Sequence, residues 1–182
     1  LEALPDEEEL KPLLLERAQH LEGLADKLVL LLRMGQMGKR PTRLSALLGE
    51  FRSQATDRFP QLEIELPSHL SSERPEIDGD ALIFSLLEVA ENAQLSGASY
   101  LKLTVENRSD GILLELRDNG EGIAASDTTD GLAALGFSRW ERAGLGLSIV
   151  RRCAQGHGGE LSIRGNSERG VTVTIGLGPA AL

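Results

Sequence analysis

The chain is 182 residues long, which suits one domain with a helical appendage, since domains run to about 100–200 residues. Hydrophobic residues make up 41% and aromatic residues only 3%, so a core must be built mainly of Leu, Ile, Val and Ala. A formal net charge of −9 excludes a grip on nucleic acid or anionic membrane through a dominant basic surface, and one cysteine, Cys153, excludes an internal disulfide and a Cys-rich zinc site.

The opening residues lack the basic segment of a secretory signal, and the first residue is Leu1 rather than Met. This reads as a piece of a longer protein, working in a reducing compartment such as the cytoplasm. The acidic run Asp6–Glu9 reads as a solvated helix start. Residues Leu10–Met34 then predict one long helix, with Leu14, Ala18, Leu21, Leu24, Leu28 and Leu31 at spacings of three and four. The narrow seam suits a helix that packs on another helix, or a core helix of the same domain. Leu28–Leu32, its longest apolar run, is far short of the roughly 20 residues that span a membrane.

Gly35–Pro41 breaks that helix, and Thr42 is a candidate N-cap for a second, Arg43–Phe59. Leu62–Leu66 alternates and predicts a strand; Pro67–Asp78 reads as a loop; Asp80–Leu95 predicts a helix with Asp78 or Asp80 at its start. Tyr100–Glu106 and Ile112–Arg117 form a hairpin across Ser109–Gly111. Gly120–Gly144 is a long glycine-rich connection, of a length that is usually functional. A helix follows over Leu145–Gln155, then a second hairpin, Glu160–Arg164 with Val171–Leu177. Helices layered on one face of a mixed sheet, an α+β arrangement, fit this order.

Three segments hold chemistry. Glu88 and Asn92 are four apart and share a helix face with Ser85, a pattern that a plain solvated face also gives. Asp118-Asn119-Gly120-Glu121-Gly122 ends a strand, where a carboxylate can point into a pocket and glycines permit close backbone approach. Gly144-Leu145-Gly146-Leu147-Ser148 opens a helix, whose N-terminal amides and dipole favour an anion without lysines. A P-loop is excluded: Gly38-Lys39 is followed by Arg40, and Arg33 stands where the first glycine belongs. Gly120-x-Gly122-x-x-Ala125 matches a dinucleotide fingerprint, but its strand belongs to a hairpin and a loose Ser-Asp-Thr-Thr-Asp-Gly stretch follows instead of a helix.

Taken together and in this order, Glu88-x-x-x-Asn92-Ala93, Asp118-x-Gly120-x-Gly122 and Gly144-Leu-Gly146-Leu-Ser148 resemble the ATP-binding domain of sensor histidine kinases. That domain belongs to a superfamily with DNA gyrase, Hsp90 and MutL. The resemblance runs from Arg43 to Leu177 and includes His157-Gly-Gly-Glu-Leu161 and Gly170-Val-Thr172. It implies a two-layer α/β sandwich of the Bergerat ATP-binding type over residues 41–182, preceded by part of a helical dimerisation region over residues 1–40. It implies ATP and Mg2+ as cofactors. By resemblance, Asn92 supplies an oxygen to Mg2+, Glu88 polarises the nucleophile or a water near the γ-phosphate, and Asp118 reads the adenine amino group. Gly120 and Gly122 shape the adenine pocket. Gly144, Leu145, Gly146 and Leu147 face the phosphates, and Thr172 approaches the adenine. Residues 124–143 become a lid carrying Phe137, with Arg139 or Arg142 as a candidate partner of the γ-phosphate. Three positions depart from the family: Leu95 and Ser96 stand where a basic and an aromatic residue are common, and Val171 where threonine is.

The same resemblance implies transfer of the γ-phosphoryl to a histidine on a two-helix hairpin and relay to a response regulator. Of His20, His69 and His157, none sits in the family's His-acidic-apolar-basic pattern, so the acceptor is expected outside this chain. Leu10–Met34 is then the second hairpin helix, through which the full protein forms a homodimer. The full protein is cytoplasmic or anchored in the inner membrane, and nucleic acid is not among its expected partners. Two other readings stand beside this one: a non-catalytic docking or phosphotransfer module of the same fold, and a gyrase- or MutL-like ATPase, which the short chain and leading Leu-rich helix disfavour. Cys153 reads as a small buried hydrophobe.

Overall fold

The computed structural model describes residues 7–33, 38–72, 74–109, 111–124, 127, 129–134, 144–166 and 169–178. Helix α1 (Glu7–Arg33) leads the chain. Leu24 and Leu31 rest against the core, while Leu14, Leu21, Leu28 and Leu32 on the same helix are exposed. No described helix is long and apolar enough to cross a membrane.

The core lies between helices and one face of a sheet. Helix α2 (Leu44–Arg58) buries Leu44, Leu47, Leu48, Phe51 and Ala55, the three- and four-residue spacing of one helical stripe. Helix α3 (Gly79–Leu95) is capped by Asp78, whose Oδ1 accepts from the Ala81 N–H at 3.1 Å. The other oxygen of that carboxylate accepts from the Gly38 N–H at 3.0 Å. Strands β2 (Glu63–Glu65), β4 (Tyr100–Arg108), β5 (Gly111–Asp118), β6 (Leu161–Gly165) and β7 (Val171–Leu177) form a sheet ordered β2-β4-β5-β7-β6. Only the β2–β4 pairing is parallel. Leu101, Leu103, Leu114, Leu116, Val173 and Ile175 face inward beneath α3 and helix α5 (Gly146–Gly156), while Lys102, Thr104 and Glu115 face out. This is the expected two-layer α+β architecture with a mixed sheet.

Three expectations are corrected. The loop over Pro67–Asp78 contains strand β3 (Glu76–Ile77), which pairs antiparallel with β1 (Arg40–Pro41) inside the supposed helix breaker. Two-residue strands carry no periodicity to read, and their pairing spans a long stretch of chain. Thr42 does not cap α2; its hydroxyl donates to the Arg40 and Ile77 carbonyls of that ribbon, and Arg43 occupies the cap without a side-chain bond. The connection after Gly120 is not structureless: helix α4 (Thr129–Leu132) is tied to β6 by the Ile163 N–H donating to Thr129 Oγ1 at 3.0 Å, and to α5 by Arg151, 2.9 Å from Asp130 Oδ1. The Asp6–Glu9 side chains and most of the expected lid lie outside the described residues.

Candidate nucleotide-binding site

The site is built where α3, the end of β5 and the start of α5 converge. Ser85, Glu88 and Asn92 share one face of α3, and that face is turned into the protein rather than into solvent. Ser85 is fully buried and donates to the Ala81 carbonyl at 2.8 Å. Glu88 is 6% exposed. A buried carboxylate needs a partner, and Lys27 of α1 supplies one, with Nζ at 2.9 Å from Oε2. Asn92 Nδ2 is buried with no hydrogen-bond partner. Buried polar atoms are nearly always satisfied, so an orphan amide aimed into a site asks for a ligand.

Asp118 ends β5 and is 7% exposed. Its Oδ1 accepts from the Gly120 N–H at 2.8 Å and the Val171 N–H at 3.2 Å. Among the described residues nothing donates to Oδ2. Burial pushes this carboxyl above its ordinary value, and the backbone hydrogen bonds oppose that shift. Gly170 adopts φ +91, and a Cβ there would lie 2.9 Å from Asp118 Oδ1, so only glycine lets the turn close over the carboxylate. Asn166 braces the same turn by donating to the Asp118 carbonyl at 3.0 Å.

The N-terminus of α5 lines the same site. Leu145 precedes it without a side-chain cap, leaving the first amides of the helix without that partner. The Ser148 hydroxyl turns back to the Leu145 carbonyl at 2.7 Å. A Cβ on Gly146 would lie 2.5 Å from Glu88 Oε2, so the glycine allows α3 and α5 to bring their groups together.

One cavity of about 650 Å3 joins these parts. Glu88, Asn92, Asp118, Gly122, Gly144, Leu145, Gly146 and Leu147, all singled out in the sequence, line it. Gly120 and Thr172 do not. Gly120 holds Asp118 and presses on Ser96, where a Cβ would come within 2.9 Å of the Ser96 carbonyl. The small Ser96 thus accommodates the turn at a position where the family commonly has an aromatic residue. Strand alternation turns Val171 and Val173 toward the cavity, while Thr172 donates to Asn166 Oδ1. The period-two pattern of β7 was the signal for the two valines. Lys27 had no local signal, because its partners lie 61 and 64 residues away. Phe137, Arg139 and Arg142 lie outside the described residues.

Two other residues have structural roles. Burial pushes the Cys153 thiol up to about 12, so it stays protonated. His157 accepts from the Asp78 N–H through Nε2 at 3.0 Å, and its Nδ1 donates to the Cys153 carbonyl at 2.7 Å, tying the end of α5 to the start of α3.

Residues 77–180, more than half of the chain, match the family model described as histidine kinase-, DNA gyrase B-, and HSP90-like ATPase. The chain belongs to that family. It is similar to a probable sensor histidine kinase of Mycobacterium tuberculosis (strain CDC 1551 / Oshkosh), at 27% identity over 90% of this chain and 45% of that protein. It is also similar to the sensor histidine kinase ZraS of Escherichia coli (strain K12), at 25% identity over 93% of this chain and 37% of ZraS. It therefore spans less than half the length of these relatives. Full-length ShkA, solved in complex with AMPPNP, shares the fold over 100% of this chain and 41% of its own, with a TM-score of 0.77 and 22% identity. Within that ATPase family, the chain resembles the ATP-binding domains of sensor histidine kinases.

Proposed function

We propose that this chain binds Mg2+–ATP in the cavity and donates the γ-phosphoryl to a histidine outside residues 1–182. The observation that carries this reading is that one cavity is lined by Asp118, Glu88, Asn92 and the N-terminus of α5 together. The open Oδ2 of Asp118 accepts the adenine amino group. Gly122, Val171 and Val173 shape the base pocket. The amides of Gly144, Leu145, Gly146 and Leu147 receive the phosphates, as helix N-termini do for anions. Glu88 orients the attacking group.

The residues fit a magnesium ion that arrives with its nucleotide. No cluster of three or more His, Cys, Asp or Glu able to hold a metal occurs among the described residues. Magnesium commonly takes one or two protein oxygens and completes its shell with phosphates and water, and Asn92 offers one such oxygen. When bound, the ion neutralises phosphate charge.

In the full protein, residues 1–40 belong to a dimerisation hairpin and residues 41–182 form the catalytic domain. The exposed leucines of α1 support that division, since an unpartnered Leu seam suits a helix of a dimer. A receiver domain of a response regulator then takes the phosphoryl group.

Calorimetry tests the nucleotide step. Wild type should bind Mg2+–ATP, and Asp118→Asn should bind it at least about tenfold more weakly, because a hydrogen bond to a charged group is lost and an amide now faces the amino group. Unchanged affinity in Asp118→Asn removes the base-reading role. No binding by wild type at millimolar nucleotide removes the kinase reading and leaves the docking module.

A further inference from the structure

The family match begins at residue 77, yet part of the cavity wall lies before it. Arg58 and Phe59 supply a little of that wall and α1 the rest, its Leu24 and Lys27 lining the same space as Gly144 and Gly146. Lys27 Nζ lies 2.9 Å from Glu88 Oε2 and 3.1 Å from Glu91 Oε2. Glu88 Oε2 in turn lies 2.5 Å from where a Gly146 Cβ would stand. One carboxylate oxygen therefore separates the ammonium from the first residue of α5.

An ammonium carries three N–H donors. Glu88 and Glu91 take two, and among the described residues nothing takes the third. The charge around it also matters. The described lining is acidic, with Glu22, Asp26 and Glu91 joining Glu88 and Asp118 against Lys27 and Arg58. A terminal phosphate approaching Gly146 meets the Glu88 carboxylate at close range, and two anions so placed repel strongly in a buried setting. A cation bound to that carboxylate removes the repulsion and leaves a donor for the phosphate. The position after Asn92-Ala93 where related kinases commonly have a basic residue holds Leu95, so that position supplies no cation here.

We propose that Lys27, from outside the ATPase-family segment, is a phosphate-binding residue of this site. Its third N–H donates to the terminal phosphate of Mg2+–ATP while the other two hold Glu88 and Glu91. Helix α1 is then part of the nucleotide site as well as a dimerisation element. This rests on the nucleotide reading above.

The test is calorimetry on the whole chain with Mg2+–ATP, Mg2+–ADP and adenosine. Lys27→Met should weaken Mg2+–ATP about tenfold and Mg2+–ADP by less than about threefold, and leave adenosine unchanged. Lys27→Arg, which keeps the charge, should recover most of the ATP affinity. Equal or tighter ATP binding by Lys27→Met overturns the proposal, as does an equal loss for ATP and ADP, or a matching loss for adenosine, which would mark a merely structural role. If wild type binds adenosine but gains nothing from phosphates, Lys27 is no phosphate ligand and the base pocket still stands. If wild type binds none of the three, the nucleotide reading fails and this proposal falls with it.

Discussion

Helix α3 buries Leu82, Leu86 and Ala90 completely and even takes Glu88 out of solvent, whereas α1 leaves Leu14, Leu21, Leu28 and Leu32 exposed. Both helices have leucine-rich seams, so apolar periodicity alone does not separate them. The difference lies in what each face meets. Helix α3 is closed in by α2, α5 and the sheet; its start is capped by Asp78, Ser85 back-bonds and Lys27 holds Glu88 and Glu91. Helix α1 rests on the core through Leu24 and Leu31, reaches α3 through Lys27, and leaves Leu14, Leu21 and Leu28 exposed. A buried core face and an exposed seam can thus be written in the same residues.

The largest expected effect breaks that comparison on the α3 side. Leu86→Ala should cost about 2–5 kcal/mol of unfolding free energy, the loss for a fully buried leucine that leaves a cavity. Chemical denaturation measures it, and a cost under about 1 kcal/mol would mean that α3 is not the centre of the core.

Much of the architecture was legible in the sequence because it is periodic. The alternation in Tyr100–Arg108 and Gly111–Asp118 and the stripe of α2 located those elements to within a residue or two. Asp118, Gly144 and Gly146 could be picked out because glycine and aspartate at strand and helix ends have few uses. The rest depended on contacts between distant segments. The β1–β3 ribbon is too short to carry a pattern, and Thr42, an apt cap by residue type, is claimed by that ribbon instead. The Ser85-Glu88-Asn92 stripe reads equally well as a solvated face; only the packing of α5 and α1 against α3 encloses it. Lys27 looks like any helix-surface lysine until Glu88 and Glu91 are placed beside it.

A second, smaller effect concerns the join between α3 and α5. His157 is neutral in the fold: burial is the main cause, Lys39 adds to it, and the Cys153 carbonyl and Asp78 oppose it, leaving its value below the ordinary 6.5. The unfolded chain therefore binds more protons as pH falls below 6.5, so this contribution to stability is present above 6.5 and lost as pH drops through the lower folded value. Asp118, raised above 3.8, acts in the opposite sense nearer that pH. Thermal unfolding between pH 7.5 and 5 should show a falling midpoint that His157→Gln flattens; an equal slope in both proteins would remove His157 as the cause.

The smallest effect sharpens the contrast from the α1 side. Leu32→Ala, at a residue 82% exposed, should change stability by less than about 0.5 kcal/mol. A loss comparable with that of Leu86→Ala would show that the α1 seam is covered by this chain's own core.

Nucleotide binding here depends most on one cavity serving both ends of the molecule. Its most direct test is a crystal structure of this chain with Mg2+ and a non-hydrolysable ATP analogue. The adenine amino group should lie within hydrogen-bond distance of Asp118 Oδ2, and the phosphates on the amides of Gly144–Leu147 beside Asn92. A nucleotide bound with its base away from Asp118, or an empty cavity at saturating analogue, would contradict it.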